Sequence, residues 1–557
     1  MGKFSEFFNN PGSRPTMYYR APMAVNRPDG GMVTELYHRT SSDSNISNKE
    51  KDDVSVNCSA VESDMNEVTL TKKGNIETSR GFTGLRKGFT DRCMDWLVVF
   101  AGSQFIFFLM WILLAVWCII GIVYGAPSVW QVVMQDSQSI QCYIWDTLLM
   151  RQQLVSTHEQ LSVCGDVRSR IATWKRLFSN RQLLDSPQKK NLKDDCVSVH
   201  FENMQGDSVT EKSAADGKLP SETWYDKFCS FTSVILGSLY AIIIFWIGIF
   251  VWIGTGALWI DAGNSPPYTG EKTGSNPHLT RFGNNWQLYI NSATAVVLLV
   301  YSVFLQNIRA RHDKYIGKFI QGILTMNTEI EIEARKKFED FDTPNPVIVA
   351  EAKKRGCGQK IIDFYADIVG TGIGIVIAIV VFSVWLGVGH LLDWNDDWWL
   401  IIGTYTGLVG YFDSFVIREA YHRITKEEEN TYRMVAEEDL ELFSLAGILC
   451  PPGYTGLDIP ESKSLNYRIS AWINRACSSS WGVLFAVCSV IALIITSSAL
   501  HWSTMGQLIA NTPTMIIEAF FMIVLIQAHN WADQKRRIEI SSLYARRCIL
   551  LAHLQRI

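Results

Sequence analysis

Four stretches of membrane length carry polar residues at intervals of three and four within otherwise apolar runs. They are WQVVMQDSQSIQCYIWDTLLMRQQ from Trp130, WQLYINSATAVVLLVYSVFLQNIRARH from Trp286, WLIIGTYTGLVGYFDSFVIREAYH from Trp399 and GQLIANTPTMIIEAFFMIVLIQAH from Gly506. The recurrence predicts one helix used four times. At roughly 100° per residue, positions 4, 7, 11 and 15 beyond the first polar residue fall within about 80° of one another. One stripe per copy results: Gln131, Gln135, Gln138, Cys142 and Asp146; then Gln287, Asn291, Thr294, Leu298 and Ser302. The third reads Trp399, Gly403, Thr406, Gly410 and Ser414, with Asp413 at its edge, and the fourth Gln507, Asn511, Thr514, Glu518 and Met522. Such side chains are costly in hydrocarbon, so the striped faces are expected to meet in a protein interior or along a watery path.

Each striped segment follows a more uniformly apolar one, and a bilayer needs about 20 predominantly apolar residues per crossing. The predicted spans are Leu97 to Tyr124, Trp130 to Met150, Val234 to Ile260, Trp286 to Phe304, Ile368 to Val388, Leu400 to Ile417, Trp481 to Ser498 and Gln507 to Ala528. The expected fold is therefore an all-α polytopic membrane protein of about eight transmembrane helices, arranged as four two-helix repeats. Their bounds are 86–160, 222–313, 361–424 and 467–534, with cytosolic loops at 161–221, 314–360 and 425–466 and a cytosolic C-terminal tail at 535–557. Residues 1–85 lack the apolar periodicity to bury a core and are expected to form a disordered cytosolic tail. Lys426 to Leu442 is expected to be a solvated helix. The outer loop from Asp261 to Asn284, rich in Gly and Pro, reads as a turn-rich connector or a lid. Gly370-x3-Gly374 and Gly403-x3-Gly407 read as sites of close helix approach, and Pro513 as a kink in the last helix.

Composition agrees, with 48% hydrophobic and 19% charged residues in 557. A net charge of -4 gives no reason to expect a nucleic-acid partner. Lys and Arg cluster after the second, fourth and eighth spans and before the first, which by the positive-inside rule places both termini and the long loops in the cytosol. All 12 cysteines fall in spans or on that side, where they stay reduced.

Four carboxylates lie at membrane depth: Asp146, Glu518, Asp413 and Asp136. An ionisable group there is a functional hypothesis by default, with interhelical hydrogen bonding as the rival reading. Gln135, Asn291 and Asn511 share one repeat position and would replace part of an ion's water shell, and Cys142 adds a thiol. Oxygen ligands with a single thiol suit a weakly bound divalent cation. His158, His312, His422 and His529 follow the even-numbered spans as candidate inner-mouth ligands; His390 and His501, together with His278, sit in outer loops as candidate outer-mouth ligands. Helix-end capping is the competing reading of these histidines. There is no His-x2-His, His-x3-His or Cys-x2-Cys pair, and no Gly-x4-Gly-Lys-Ser/Thr loop. That argues against a di-iron membrane enzyme and an ATP-driven pump.

The strings GFTGLRKGFTD at Gly81, WQVVMQDSQSIQCYIWDTLLMRQQ at Trp130, YADIVGTGIG at Tyr365, WWLIIGTYTGL at Trp398 and GQLIANTPTMIIEAFF at Gly506 resemble the fungal low-affinity iron permease family, over most of the chain from about Gly81 to Arg547. The resemblance implies a plasma-membrane transporter of ferrous iron that tolerates copper, zinc and other divalent metals, with those ions as substrates and no permanently bound cofactor. It carries no ligand set onto these residues. Two other classes stay open: a metal sensor that binds without uptake, and a membrane enzyme using the buried acids, although the four-copy layout favours passage over catalysis. Assembly into homo-oligomers is not decided by the sequence.

Overall fold

In a computed structural model, residues 17–26, 32–34, 68–70, 76–78, 89–125, 127–181, 217–220, 223–256, 284–350, 355–394, 396–457, 465–502 and 504–556 are described. Twelve α-helices among them form four copies of one three-helix unit. The units are α1 (Phe89–Ala101), α2 (Gln104–Tyr124) and α3 (Ser128–Arg181); α4 (Trp224–Leu236), α5 (Leu239–Gly256) and α6 (Asn284–Phe338); α7 (Cys357–Val369), α8 (Gly372–Gly389) and α9 (Asp396–Ala446); α10 (Leu465–Cys477), α11 (Ser480–Ala499) and α12 (Thr504–Arg556). The first helix of every unit is 13 residues long, and the last is 51 to 55.

Three of the expected odd-numbered spans, Leu97 to Tyr124, Val234 to Ile260 and Ile368 to Val388, thus run across a break between two helices, whereas Trp481 to Ser498 lies within α11. The break residues are Gly102-Ser103, Gly237-Ser238, Gly370-Thr371 and Ser478-Ser479. In three of them the hydroxyl caps the next helix: Ile106, Ala241 and Gly482 donate backbone N–H groups to Ser103, Ser238 and Ser479. The preceding small residue lets the break press against a long helix of another unit. A Cβ on Gly102 would lie 2.5 Å from the Ala310 Cβ of α6, and one on Gly237 3.0 Å from Ile526 of α12. A Cβ on Gly370 would lie 2.9 Å from Leu154 of α3, while Ser478 Oγ accepts from Arg418 of α9.

These contacts define a closed cycle. Unit one leans on the long helix of unit two, two on four, four on three and three on one. The long helices pack in the same order, α3 beside α6, α6 beside α12, α12 beside α9 and α9 beside α3. They form a four-helix ring about one axis, with α3 opposite α12 and α6 opposite α9.

At 1.5 Å per residue each long helix is about 80 Å long, whereas the hydrocarbon core is about 30 Å thick. Roughly the first 20 residues therefore match a crossing, and the rest extend as a four-helix stem. Six helices, α2, α5, α6, α8, α11 and α12, are long and apolar enough to cross a membrane. Only 17 to 22% of the apolar window of α2, α5, α8 and α11 is buried, against 61% for α6 and 78% for α12, so the former face lipid and the latter the interior. α3 and α9 are more polar but complete the same ring.

At the hairpin end three units are fastened alike. Trp117 stacks on Trp130, Trp252 on Trp286 and Trp385 on Trp398, with ring centroids 3.8, 3.9 and 4.2 Å apart. In each pair both indole N–H groups donate to the partner's backbone carbonyl. The fourth unit has Ser497 and Gly506 there, joined by one hydrogen bond from Ser497 Oγ to the Gly506 carbonyl.

The stem corrects several expectations. Residues 161–181, 314–338, 425–446 and 535–556 are helical and packed on one another. Lys426 to Leu442 is not simply solvated: Glu428, Tyr432, Val435, Asp439 and Leu442 are buried. Its charges are paired inside the bundle, where Asp439 accepts from Arg546 at 2.9 Å and Arg547 at 2.5 Å, and Arg547 lies over the Trp174 ring. Likewise Glu331 accepts from Arg335 at 2.9 Å. Within the tail expected to be unstructured, β1 (Met17–Tyr19) pairs with β6 (Ile348–Ala350), Tyr19 fills the space over Gly165, and Ala21 donates its N–H to Ser169 Oγ. Two further antiparallel ribbons join β2 (Ala24–Asn26) to β3 (Met32–Thr34) and β4 (Val68–Leu70) to β5 (Ile76–Thr78). Pro513 sits inside α12 without ending it. The Asp261 to Asn284 connector lies almost wholly outside the described residues.

Replacing Asp439 with Ala leaves two fully buried guanidiniums without their carboxylate. The expected loss is about 3–5 kcal/mol, read as a lower unfolding midpoint of the purified protein in detergent.

A candidate cation path along the ring axis

The polar stripes of the four long helices are buried against one another, and successive levels of the axis can be read from the hairpin end. At the first full level Gln135 donates to the Leu288 carbonyl and to Ser292 Oγ, both at 3.4 Å, tying α3 to α6. Asn291 of α6 is wholly buried, and neither end of its amide has a protein partner. The Oδ1 of Asn511, from α12, is also buried and unpartnered. An uncompensated buried amide is costly, so these groups are suited to a water or an ion.

Asp136 points between α3 and α9, its Oδ1 packed where a Cβ of Gly403 would stand, and its Oδ2 has no partner. Asn511 Oδ1 occupies the equivalent space over Gly407, and the Glu518 carboxyl that over Gly410. Gly403 and Gly407 therefore do not bring helix backbones together as their spacing suggested. The third unit omits side chains where its neighbours aim polar ones inward.

Deeper in, Cys142 of α3 and Glu518 of α12 lie close enough to interact although their helices stand on opposite sides of the ring. Gln138 Nε2 lies 2.6 Å from the Cys142 sulfur, and Gln141 donates to Ser302 Oγ at 3.0 Å. Asp146, one turn further along α3, is 4% exposed and close enough to Glu518 for the two charges to interact, as is Asp413. Asp413 is held from outside the ring by the Tyr365 hydroxyl of α7, which donates to it at 2.5 Å. Glu518 Oε1 has no hydrogen-bond partner. The axis thus gathers carboxylate, amide and thiol donors, a set that suits a divalent cation of intermediate softness. Among the described residues no three His, Cys, Asp or Glu side chains already form a closed cage, so water or amide oxygens must complete any coordination sphere.

The histidines do not form two rings. His422 is exposed, and His158 is buried one turn above the stem core. His312 and His529 are drawn together, with ring nitrogens 3.8 and 3.7 Å from the carboxylate of Asp533. Arg309 donates to that carboxylate at 3.3 Å and Arg537 contacts His312 Nδ1 at 3.0 Å. Burial pushes Asp533 upward, but its neighbours His312, Arg309 and His529 outweigh it and hold its carboxyl well below the usual carboxylate range. Burial carries His312 well below its usual value and His529 down to about 4. His390 and His501 are exposed at separate hairpin turns and share no site; His278 lies outside the described residues. No signal in the histidine spacing marks Asp533 as the meeting point, although its place one turn after His529 is visible in AHNWAD.

The low affinity iron permease family matches residues 359–429 and 466–552. The chain is 52% identical to the low-affinity Fe(2+) transport protein of Saccharomyces cerevisiae, over all of this chain and 98% of that protein. It is 38% identical to the low-affinity iron/zinc ion transport protein fet4 of Schizosaccharomyces pombe, over 83% of this chain and 72% of that one. No solved structure matches.

A side chain at position 410 must displace the Glu518 carboxyl, which lies 2.9 to 3.1 Å from the Cβ position. Gly410→Leu is expected to weaken binding of a divalent ion to the purified protein by about tenfold or more, equivalent to roughly 1.4 kcal/mol, while Gly248→Leu, facing open space, leaves it unchanged. Titration of both variants with ferrous ion checks this.

Proposed function

Because the chain belongs to the low affinity iron permease family, we propose that it carries ferrous iron across the plasma membrane into the cytosol, with zinc and copper as further substrates. The path runs between the N-terminal halves of α3, α6, α9 and α12, and all four cross the bilayer with their four outer hairpin partners, giving eight crossings. The distribution of Lys and Arg supports an orientation with the stem in the cytosol and the tryptophan stacks outside.

The ion enters past Gln135, Asn291 and Asn511, whose carbonyl oxygens stand in for part of its water shell, with Asp136 adding negative charge at the edge. It then meets Asp146, Glu518 and Cys142, with Asp413 alongside. The observation that carries this reading is the set of buried polar atoms without protein partners on the striped faces, both ends of the Asn291 amide, Asn511 Oδ1 and Glu518 Oε1. They come from different long helices, so a cation between them is within reach of more than one unit. Few permanent ligands and mixed oxygen and sulfur donors suit weak, multi-step binding, since conduction needs an ion held well enough to enter and loosely enough to leave. His312 and His529 act at the inner mouth through Asp533; His422 is exposed away from it. His390 and His501 stand near the entrance without forming a ligand pair.

Purified protein in proteoliposomes containing a metal-sensitive dye is expected to show saturable ferrous uptake. Asp146→Asn and Glu518→Gln should each lower it by about tenfold or more, the effect of roughly 1.4 kcal/mol, with unchanged melting behaviour. Metal binding without dye response in the wild type would assign a sensor instead, and full uptake by both variants would remove these acids from the path.

A further inference from the structure

The axial stripe does not end at Asp146. Three residues on, nineteen beyond Trp130, Trp286, Trp398 and Gly506, stand Leu149, Leu305, Ile417 and Leu525. This is the first level at which all four units place a large aliphatic side chain on the axis. The four are 1 to 4% exposed and belong to one contiguous apolar cluster.

Below the ring the axis becomes polar again. A small cavity there is lined from all four long helices, with Gln153, Arg309, His312, Tyr421, Glu428 and Asp533 among its walls. Both ends of the Gln153 amide are buried in it without a protein partner, as are both ring nitrogens of His529 beside it by hydrogen-bond geometry. Unpartnered polar atoms at this density indicate water. Further along the stem the stripe turns solid: Val167, Ile323, Val435 and Leu543 form one level and Trp174, Ile330, Leu442 and Leu550 another, all in a single core.

A polar stretch of the axis above and a polar chamber below are therefore separated by a single aliphatic ring, and the packed stem core closes the axis beneath that lower chamber. Resting on the transport reading above, we propose that Leu149, Leu305, Ile417 and Leu525 form the constriction that controls flux, and that the ion leaves the lower chamber sideways between the long helices. The ring offers an ion no ligand, and a pore of aliphatic side chains excludes water until it widens. Passage must dilate it or strip the ion.

The test uses the full-length protein in proteoliposomes and reads ferrous uptake and, separately, ferrous binding in detergent. The double variant Leu149→Ala with Leu525→Ala is expected to raise the initial uptake rate severalfold and to admit larger or more strongly hydrated divalent ions. Leu305→Trp is expected to stop uptake while leaving ferrous binding above the ring unchanged. Leu149→Val with Ile417→Val, a smaller change, gives the same direction as the alanine pair if that pair does not fold. Wild-type rates in the Val pair and in Leu305→Trp would overturn the proposal, as would loss of ferrous binding in Leu305→Trp, which would make the ring a packing feature. No uptake by the wild type would overturn the transport reading itself.

Discussion

A helix that carries amides and carboxylates through hydrocarbon cannot stand alone, and this one constraint organises the molecule. Each of the four long helices is polar along one side, and the cost of leaving that side in lipid removes every arrangement except mutual enclosure. Four such helices close a ring. The apolar helices α2, α5, α8 and α11 then serve as an outer wall, each leaning on the long helix of the next unit through a break of small residues. The same pattern accounts for the stem, where continuing the stripe with Val, Ile, Leu and Trp converts a lined path into a conventional packed core.

Within the ring the four copies have diverged in a complementary way. Glu518 is accommodated because the third unit has Gly410 at the corresponding level. Asp136 and Asn511 likewise occupy space vacated by Gly403 and Gly407. A symmetric ring of four acids would place like charges in contact at a cost of several kcal/mol in a low dielectric. Distributing Asp146, Asp413 and Glu518 over different levels and giving Asp413 a tyrosine hydroxyl lessens that repulsion.

The repeat and the inward facing of the polar stripe were legible from residue spacing, because a period near 3.6 reports helix face directly. The breaks at Gly102-Ser103 and its counterparts were not, because a two-residue interruption vanishes in any average of hydropathy taken over a membrane thickness. The stem was misread for a different reason. Arg335, Arg546 and Arg547 look like surface residues in sequence, yet they are fully buried and matched by Glu331 and Asp439, partners 4 to about 100 positions away that no local pattern reveals. The role of Gly403, Gly407 and Gly410 was visible only once the side chains of the facing helices were seen to fill the gaps.

Three of the four hairpins are riveted by stacked indoles that also exchange two hydrogen bonds, and such a stack contributes about 0.5–1.5 kcal/mol beyond its buried area. The fourth has a serine and a glycine at that place. The seam between α11 and α12 lacks that clasp, and it belongs to the helix that bears both Pro513 and Glu518. The pseudo-symmetry of the fastening is thereby broken at one edge, and the helix on that edge is the one whose carboxyl fills the space left by Gly410.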